Sequence, residues 1–481
     1  MIKSINFINY RNLIGKYIFN NNIDLIIGKN NEGKTNFLDG IRLAFSCITN
    51  DYFKIQKSDF LNSDDTKNII IEVELENDII SSLSFVDDIG NIRYGFRVLI
   101  KKTQSGKYKK EISLLNGSNI DLDILSEDET IPNIFMIPLI RVDEIYASGF
   151  ITGLSKFIES EEKYKGLKEE SKQKIKESIK DKMDVFQNFC NKFNQKMDIA
   201  LTEPKLSDEK VFIVEEGTEE HHYMIGSGYK SIANIYLNTL NDKYNIILID
   251  EIENHLHPSL IRTFINELKL IKNTQIIATT HSPVVVNEFM IEEIIDIKQK
   301  KINLDNKTCS KLNKFLTPSR NELLFADNII LVEGYTEEIL LRYYLNSNKL
   351  NWTIINVAGV MFEPYIELAL FLKKRLIVVS DNDISLSQDK TQSPRFTKLE
   401  NICKANNIPI FAMYNTLETD LYNTGYLNSC SEFLRCHEIH KEIMVAKQNC
   451  KTKIVEKLIS ENVDLKDWHI IKDIENEFKS N

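Results

Sequence analysis

Gly28-Lys29-Asn30-Asn31-Glu32-Gly33-Lys34-Thr35 follows the apolar run Ile23-Asp24-Leu25-Ile26-Ile27 and leads through Asn36 into a stripe of Phe37, Leu38, Ile41, Ala44 and Phe45 at helical spacing. A strand, a glycine-rich loop and a helix in that order form a phosphate cradle. Backbone N–H groups surround a β-phosphate, the Lys34 ammonium reaches the β and γ oxygens, and the Thr35 hydroxyl is offered to magnesium. The predicted nucleotide contacts are Gly28, Asn30, Asn31, Gly33, Lys34, Thr35 and Asn36. A later stretch supports this: Ile246-Ile247-Leu248-Ile249-Asp250-Glu251 reads as an apolar strand ending in two carboxylates. Asp250 at the strand end suits the magnesium shell, and Glu251 suits a base or water-orienting group for hydrolysis.

The rest of the chain frames these motifs. With 481 residues and a formal net charge of -10, it has material for two to four domains. Its 42% hydrophobic and 27% charged residues are ordinary for a globular protein. The seven cysteines show no paired spacing, which argues against a disulfide framework and for a reducing cytoplasm. No uninterrupted apolar run approaches the roughly 18 residues of a membrane span, so no membrane association is expected. The acidic balance repels phosphate, so any DNA contact must use local basic patches or bound cations.

Residues 69–75 and 93–100 alternate as half-buried strands, with turns at Gly90 and Gly106, and form an antiparallel flank of the first domain. Between 155 and 200 the composition turns to Lys, Glu, Ser and Gln around a stripe including Ile175, Ile179, Met183, Phe186 and Phe189. This is an amphipathic helical insert, packed on its own domain or used for self-association. Strands at 245–249 and 274–278, with a helix over 260–270 between them, complete a parallel sheet. The polar stretch 298–319 reads as a connector. A second alternation of strands and helices follows from near 325. The predicted fold class is therefore α/β, with regions 1–154 and 201–320 forming an ATPase split by the 155–200 insert, and 325–481 forming a second domain.

That second domain has its own chemistry. Ile329-Ile330-Leu331-Val332-Glu333-Gly334 delivers a carboxylate into a glycine turn, and Leu376-Ile377-Val378-Val379-Ser380-Asp381-Asn382-Asp383 delivers two more. In a parallel sheet, strand C-termini open on one edge, where Glu333, Asp381 and Asp383 are predicted to converge. Converging acids repel each other unless hard cations bind between them, and such cations suit phosphodiester hydrolysis.

The first set resembles ABC-type ATPase heads of the RecF and SMC class. Asn6-Phe7-Ile8-Asn9-Tyr10-Arg11-Asn12-Leu13 looks like their N-terminal strand, Glu253-Asn254-His255-Leu256-His257-Pro258 like the segment after the acidic strand, and Thr279-Thr280-His281-Ser282-Pro283 like their switch-histidine motif. The resemblance makes His281 a γ-phosphate sensor and leaves His255 and His257 structural. Gly226-Ser227-Gly228 resembles a degenerate signature motif; if it is one rather than a plain turn, Ser227 and Gly228 reach the nucleotide of a partner head, and the active ATPase is at least a homodimer.

The second set resembles the TOPRIM domain of topoisomerases, primases and certain nucleases. An ABC head followed by TOPRIM is similar to the OLD (overcoming lysogenization defect) nucleases, which include the Gabija nuclease subunit and retron-associated members. The resemblance implies an ATP-gated, magnesium- or manganese-dependent DNA endonuclease of antiphage defence. It carries metal-binding roles onto Glu337, rather than Glu338, and onto Glu418, and the charge-stabilising lysine onto Lys451, with Lys453 the second choice. It implies DNA as substrate, and as partners further copies, a helicase-like protein, or a retron reverse transcriptase with its DNA. A non-nuclease repair clamp or a sensor subunit is the alternative reading, while no further domain for strand passage or polymerisation is apparent.

Overall fold

The computed structural model describes residues 1–19, 22–49, 53–76, 81–120, 134–137, 205–207, 210–212, 245–254, 256–359, 361–382, 384, 392–414, 416–427, 437–440, 443–446 and 451–479, with isolated positions between 184 and 239. The chain divides into two compact units, Met1–Ile302 and Asn303–Asn481. The predicted 155–200 insert lies almost wholly outside the described residues.

Among the described residues the first unit holds two six-stranded sheets and a two-stranded antiparallel one, β9 (Lys205–Ser207) paired with β10 (Lys210–Phe212). The first is antiparallel: β1 (Ile2–Tyr10), β2 (Leu13–Ile18), β4 (Ile69–Leu75), β5 (Ser84–Val86), β6 (Ile92–Lys102) and β7 (Tyr108–Leu114) run in the order β2-β1-β4-β6-β5, with β7 also on β6. β4 alternates buried and half-buried residues, turning Ile69, Ile71, Val73 and Leu75 to the core. The second sheet is mainly parallel and combines β3 (Ile23–Ile27), β8 (Ile134–Ile137), β11 (Ile246–Ile249), β12 (Gln275–Thr280), β13 (Ile294–Asp296) and β14 (Lys300–Lys301) in the order β14-β13-β3-β12-β11-β8. The strands β3, β11 and β12 are buried along their whole length, as expected where both faces are covered.

The helix α1 (Lys34–Ser46) packs Phe37 into the aromatic cluster of Phe7 and Tyr17, at ring-centroid distances of 5.7 and 4.6 Å. α2 (Pro258–Lys269) joins β11 to β12 and buries Ile261, Phe264, Ile265 and Leu268. Its Pro258 lies in the first turn, where no amide donor is needed. A short helix, α3 (Pro283–Val286), follows β12.

The second compact unit begins at Asn303, ahead of the strand–helix alternation that the sequence places from near 325. The supposed connector contains β14 and, from unit two, α4 (Asn306–Phe315), capped by Asp305, which accepts from the amides of Lys307 and Thr308. Cys309 and Leu312 are its buried stripe, and the Thr308 hydroxyl donates to Glu367 at 2.6 Å. Two buried apolar positions over three turns were too sparse a stripe to stand out among Asn and Lys. After α5 (Glu322–Phe325), an all-parallel sheet of β15 (Asn328–Val332), β16 (Thr353–Asn356), β17 (Arg375–Asp381) and β18 (Ile410–Met413) runs in the order β16-β15-β17-β18. Connecting helices are α6 (Tyr335–Ser347), α7 (Phe362–Phe371) and α8 (Pro394–Ala405), and α9 (Leu417–Asn423) follows β18. α10 (Lys451–Ser460) and α11 (His469–Lys479) close the core with Ile454, Val455, Leu458, Ile470, Ile471 and the fully buried Trp468. Among the described residues, no helix is long and apolar enough to cross a membrane.

Candidate functional site

In the first unit, three neighbouring parallel strands converge on one edge. β3 ends at the glycine loop, β11 at Asp250 and β12 at Thr280, in the order β3-β12-β11. The loop closes on α1 through Gly33, whose φ of +108° is a backbone conformation that side chains resist. A Cβ there would also stand 2.5 Å from the Asn12 amide oxygen. Asn12 donates to the Glu32 carbonyl at 2.8 Å and accepts from Asn36 at 2.8 Å, so the turn after β1 buttresses the loop. The Lys34 ammonium donates to the carbonyls of Gly28 and Lys29 at 2.8 and 3.0 Å. Burial lowers its pKa, while Glu251, Glu253 and Asp250 pull the other way.

Asp250 is 5% exposed and accepts from two hydroxyls, Thr35 at 2.8 Å and Thr279 at 2.6 Å. Thr279 also accepts from the Glu251 amide at 2.8 Å. Glu251 takes a positive φ of 51°, a turn that carries its side chain off the strand line. His281 Nδ1 lies 3.4 Å from Glu251 and 3.3 Å from Glu253, and the His281 amide donates to Glu253 at 3.0 Å. Thr35, Asp250, Glu251 and His281 are therefore linked through shared partners. Asn30 and Asn31 are exposed on the loop. Gly228 is helical and buried, whereas Ser227 and His255 lie outside the described residues.

Sequence reasoning missed the role of Thr279, the joint between the two acidic residues, although Thr279 opens the quoted stretch that ends at Pro283. It also missed the role of Arg11. Its guanidinium donates to Asn36 at 2.8 Å, Asp39 at 2.7 Å and Asp59 at 2.9 Å, on the wall of a cavity of about 690 Å³. Arg42, Lys54, Phe53 and Phe60 also line that cavity, which joins cationic and aromatic surface beside the loop.

In the second unit, Glu333 follows β15, Asp381 ends β17, and Glu418 lies in the first turn of α9 after β18. β15 lies beside β17 and β17 beside β18, with Val332 opposite Val379 and Asp381 opposite Met413. The three acids thus leave one edge of the sheet on successive strands. Asp381 is 7% exposed, Glu337 6% and Glu418 2%. Gly334 permits the approach of Glu337: a Cβ on it would lie 2.8 Å from a Glu337 carboxylate oxygen. Glu338 instead pairs with Arg342 one turn on, at 2.9 Å. Asp383 lies outside the described residues. Lys451 begins α10, and Lys453 is exposed.

Glu333 meets a partner that sequence reasoning did not find. Arg395 grips it with two prongs, at 2.7 and 2.9 Å, and the Ser380 hydroxyl donates to it at 3.3 Å. No local pattern could reveal a pair 62 residues apart. Beside Glu418, Asp420 is buried and accepts from the Trp468 indole, the Tyr414 amide at 3.1 Å and His469 at 2.8 Å. Among the described residues, no three His, Cys, Asp or Glu side chains stand together as a metal cluster. Glu333 is turned to Arg395 instead. The donor chemistry nevertheless fits a hard divalent cation, because buried carboxylate oxygens need positive charge and every donor is oxygen.

Comparison with known proteins follows the same division. The family described as "AAA domain, putative AbiEii toxin, Type IV TA system" matches residues 25–287, more than half of the chain. The family described as "Overcoming lysogenization defect protein-like, TOPRIM domain" matches residues 324–383. Endonuclease GajA of Bacillus cereus (strain HuB5-5) is 24% identical over 441 residues, covering 74% of this chain and 62% of the relative. The chain therefore spans less than two thirds of that relative's length. OLD nuclease of Thermus scotoductus (strain ATCC 700910 / SA-01) is 30% identical over 169 residues, 30% of this chain and 32% of that protein. A solved SMC head bound to the C-terminal winged-helix domain of ScpA is 15% identical, covering 64% of this chain and 98% of that one, with a TM-score of 0.47. The chain belongs to the family described as "AAA domain, putative AbiEii toxin, Type IV TA system", and it carries a TOPRIM domain like that of the overcoming lysogenization defect proteins.

Proposed function

We propose that the chain is an ATP-hydrolysing, divalent-metal-dependent DNA endonuclease of antiphage defence. The observation that carries this reading is the pairing of two oxygen-rich sites on one chain: the phosphate loop joined to Asp250 through Thr35, and Glu333, Asp381 and Glu418 at or beyond the ends of three neighbouring strands. The names of the relatives, Endonuclease GajA and OLD nuclease, support the same reaction class.

In the ATPase, Gly28, Asn30, Asn31, Gly33, Lys34 and Asn36 hold phosphate. Thr35 and Asp250 hold magnesium, Glu251 orients water, and His281 senses the γ-phosphate. The cationic and aromatic cavity beside Arg11 suits the base and sugar end of the nucleotide. Ser227 and Gly228 serve a partner head, making the working unit a homodimer or larger. In the second unit, Glu333, Glu337, Asp381, Asp383 and Glu418 hold magnesium or manganese, and Lys451 faces the developing charge. A divalent cation bound there supplies the charge that activates water and stabilises a leaving oxygen. ATP binding gates DNA entry to this site, the protein acts in the cytoplasm, and a helicase-like protein or a retron reverse transcriptase with its DNA joins it.

The test is DNA cleavage with magnesium or manganese, with and without ATP, by wild type, Lys34→Ala and Asp381→Ala. Asp381→Ala is expected to bind ATP normally and to lose cleavage. Cleavage by that variant at the wild-type rate would remove the reading. ATP-dependent DNA association without strand scission by wild type would favour a repair clamp instead.

A further inference from the structure

Arg395 stands in the first turn of α8, a helix started by Pro394 and capped by Ser393, whose hydroxyl accepts from the Phe396 amide at 3.2 Å. The cap fixes where the guanidinium begins. It ends on Glu333 as a two-pronged ion pair, Nη1 to Oε1 at 2.7 Å and Nη2 to Oε2 at 2.9 Å. Oε2 also accepts from the Ser380 hydroxyl. A carboxylate engaged at both oxygens by one cation has fewer lone pairs left for another, and a guanidinium and a metal ion at contact distance on it repel each other. Arginine and a divalent cation therefore compete for Glu333.

The guanidinium fork fits a phosphate as well as a carboxylate. The pair is also reachable, with side chains 30% and 21% exposed. On a chain of net charge -10, DNA contact depends on local positive charge, and Arg395 supplies it beside the proposed metal site.

We propose that Arg395 is a substrate-sensing positioning residue: it neutralises Glu333 until a DNA phosphate accepts the guanidinium, and that transfer frees Glu333 for a divalent cation. The inference rests on the reading of Glu333 as a metal ligand. Its consequence is a reciprocal linkage, in which DNA tightens metal binding and metal tightens DNA binding by the same factor. The site would then assemble fully only on its substrate.

Manganese titration of the full chain, followed by electron paramagnetic resonance without nucleotide, tests this without any turnover. The Glu333-dependent part is the difference from Glu333→Gln, which cancels binding at the phosphate loop. Wild type is expected to bind this manganese at least about fivefold more tightly with a phosphorothioate DNA duplex than without it. Arg395→Gln should bind as tightly without DNA as wild type does with it, and DNA should add nothing. Arg395→Lys keeps the charge without the fork and should retain a reduced linkage; it carries the comparison if Arg395→Gln does not fold. An Arg395→Gln protein with wild-type affinity and wild-type response to DNA overturns the inference while leaving the metal reading intact. If Glu333→Gln removes no bound manganese from wild type, the metal reading fails and the inference with it.

Discussion

The Thr35 hydroxyl donates to Asp250 Oδ2 at 2.8 Å across 215 residues of sequence, and the other oxygen of Asp250 accepts from Thr279. One carboxylate thus ties the helix after the phosphate loop to two neighbouring strands. Asp250→Ala leaves both hydroxyls without this acceptor. A loss of about 1–3 kcal/mol in stability is expected, together with loss of ATP hydrolysis. Denaturant melts and phosphate release measure the two effects; a variant unchanged in both would contradict the linkage.

Glu251 sits on a positive-φ turn, held by its amide to Thr279 and facing His281. Glu251→Gln preserves size and removes the charge. ATP hydrolysis should fall by roughly 10²- to 10⁴-fold with nucleotide affinity nearly unchanged. Equal hydrolysis by the variant would take Glu251 out of the reaction.

Gly334→Ala places a methyl group 2.8 Å from a Glu337 oxygen, the mobile end of a flexible side chain. The backbone there is extended, with φ of -139°, and accepts alanine. Stability should therefore fall by no more than about 0.5–1.5 kcal/mol, the cost of turning the buried Glu337 side chain off its rotamer, while metal affinity of the second unit weakens. Calorimetric titration with magnesium checks the second effect, and ATP binding by the first unit serves as the control.

His469 carries a pH dependence. The hydrogen bond to Asp420 raises its pKa above the usual 6.5, with burial opposing and charge attraction assisting. Its proton binds more tightly in the folded protein, so the stabilisation is fully present below about 6.5 and is lost as pH rises through the elevated folded value. Melting temperature should decline over that interval in wild type more steeply than in His469→Gln. Parallel curves for the two proteins would show that the contact contributes nothing.

The elements that sequence reading anticipated are those whose residues announce their own environment. The runs Ile246–Ile249 and Leu376–Val379 are apolar on both faces because both faces are covered, and such runs read as parallel strands without any partner in view. Gly28 to Thr35 is equally local, since a phosphate cradle is made by consecutive amides. The helix 306–315 escaped notice because its burial depends on two apolar residues and an aspartate cap.

Sequence alone determined the two chemistries and their order: a nucleotide loop with its acidic strand, then carboxylates ending the strands of a second α/β unit. Tertiary structure decided how those carboxylates are held. Asp250 is shared by Thr35 and Thr279, Glu333 is gripped by Arg395, and Asp420 is locked by Trp468 and His469. The reason is physical. Periodicity and turn chemistry act over a few residues, but the partner of a half-buried charge is whichever cation or donor the fold brings within about 3 Å, at any distance along the chain.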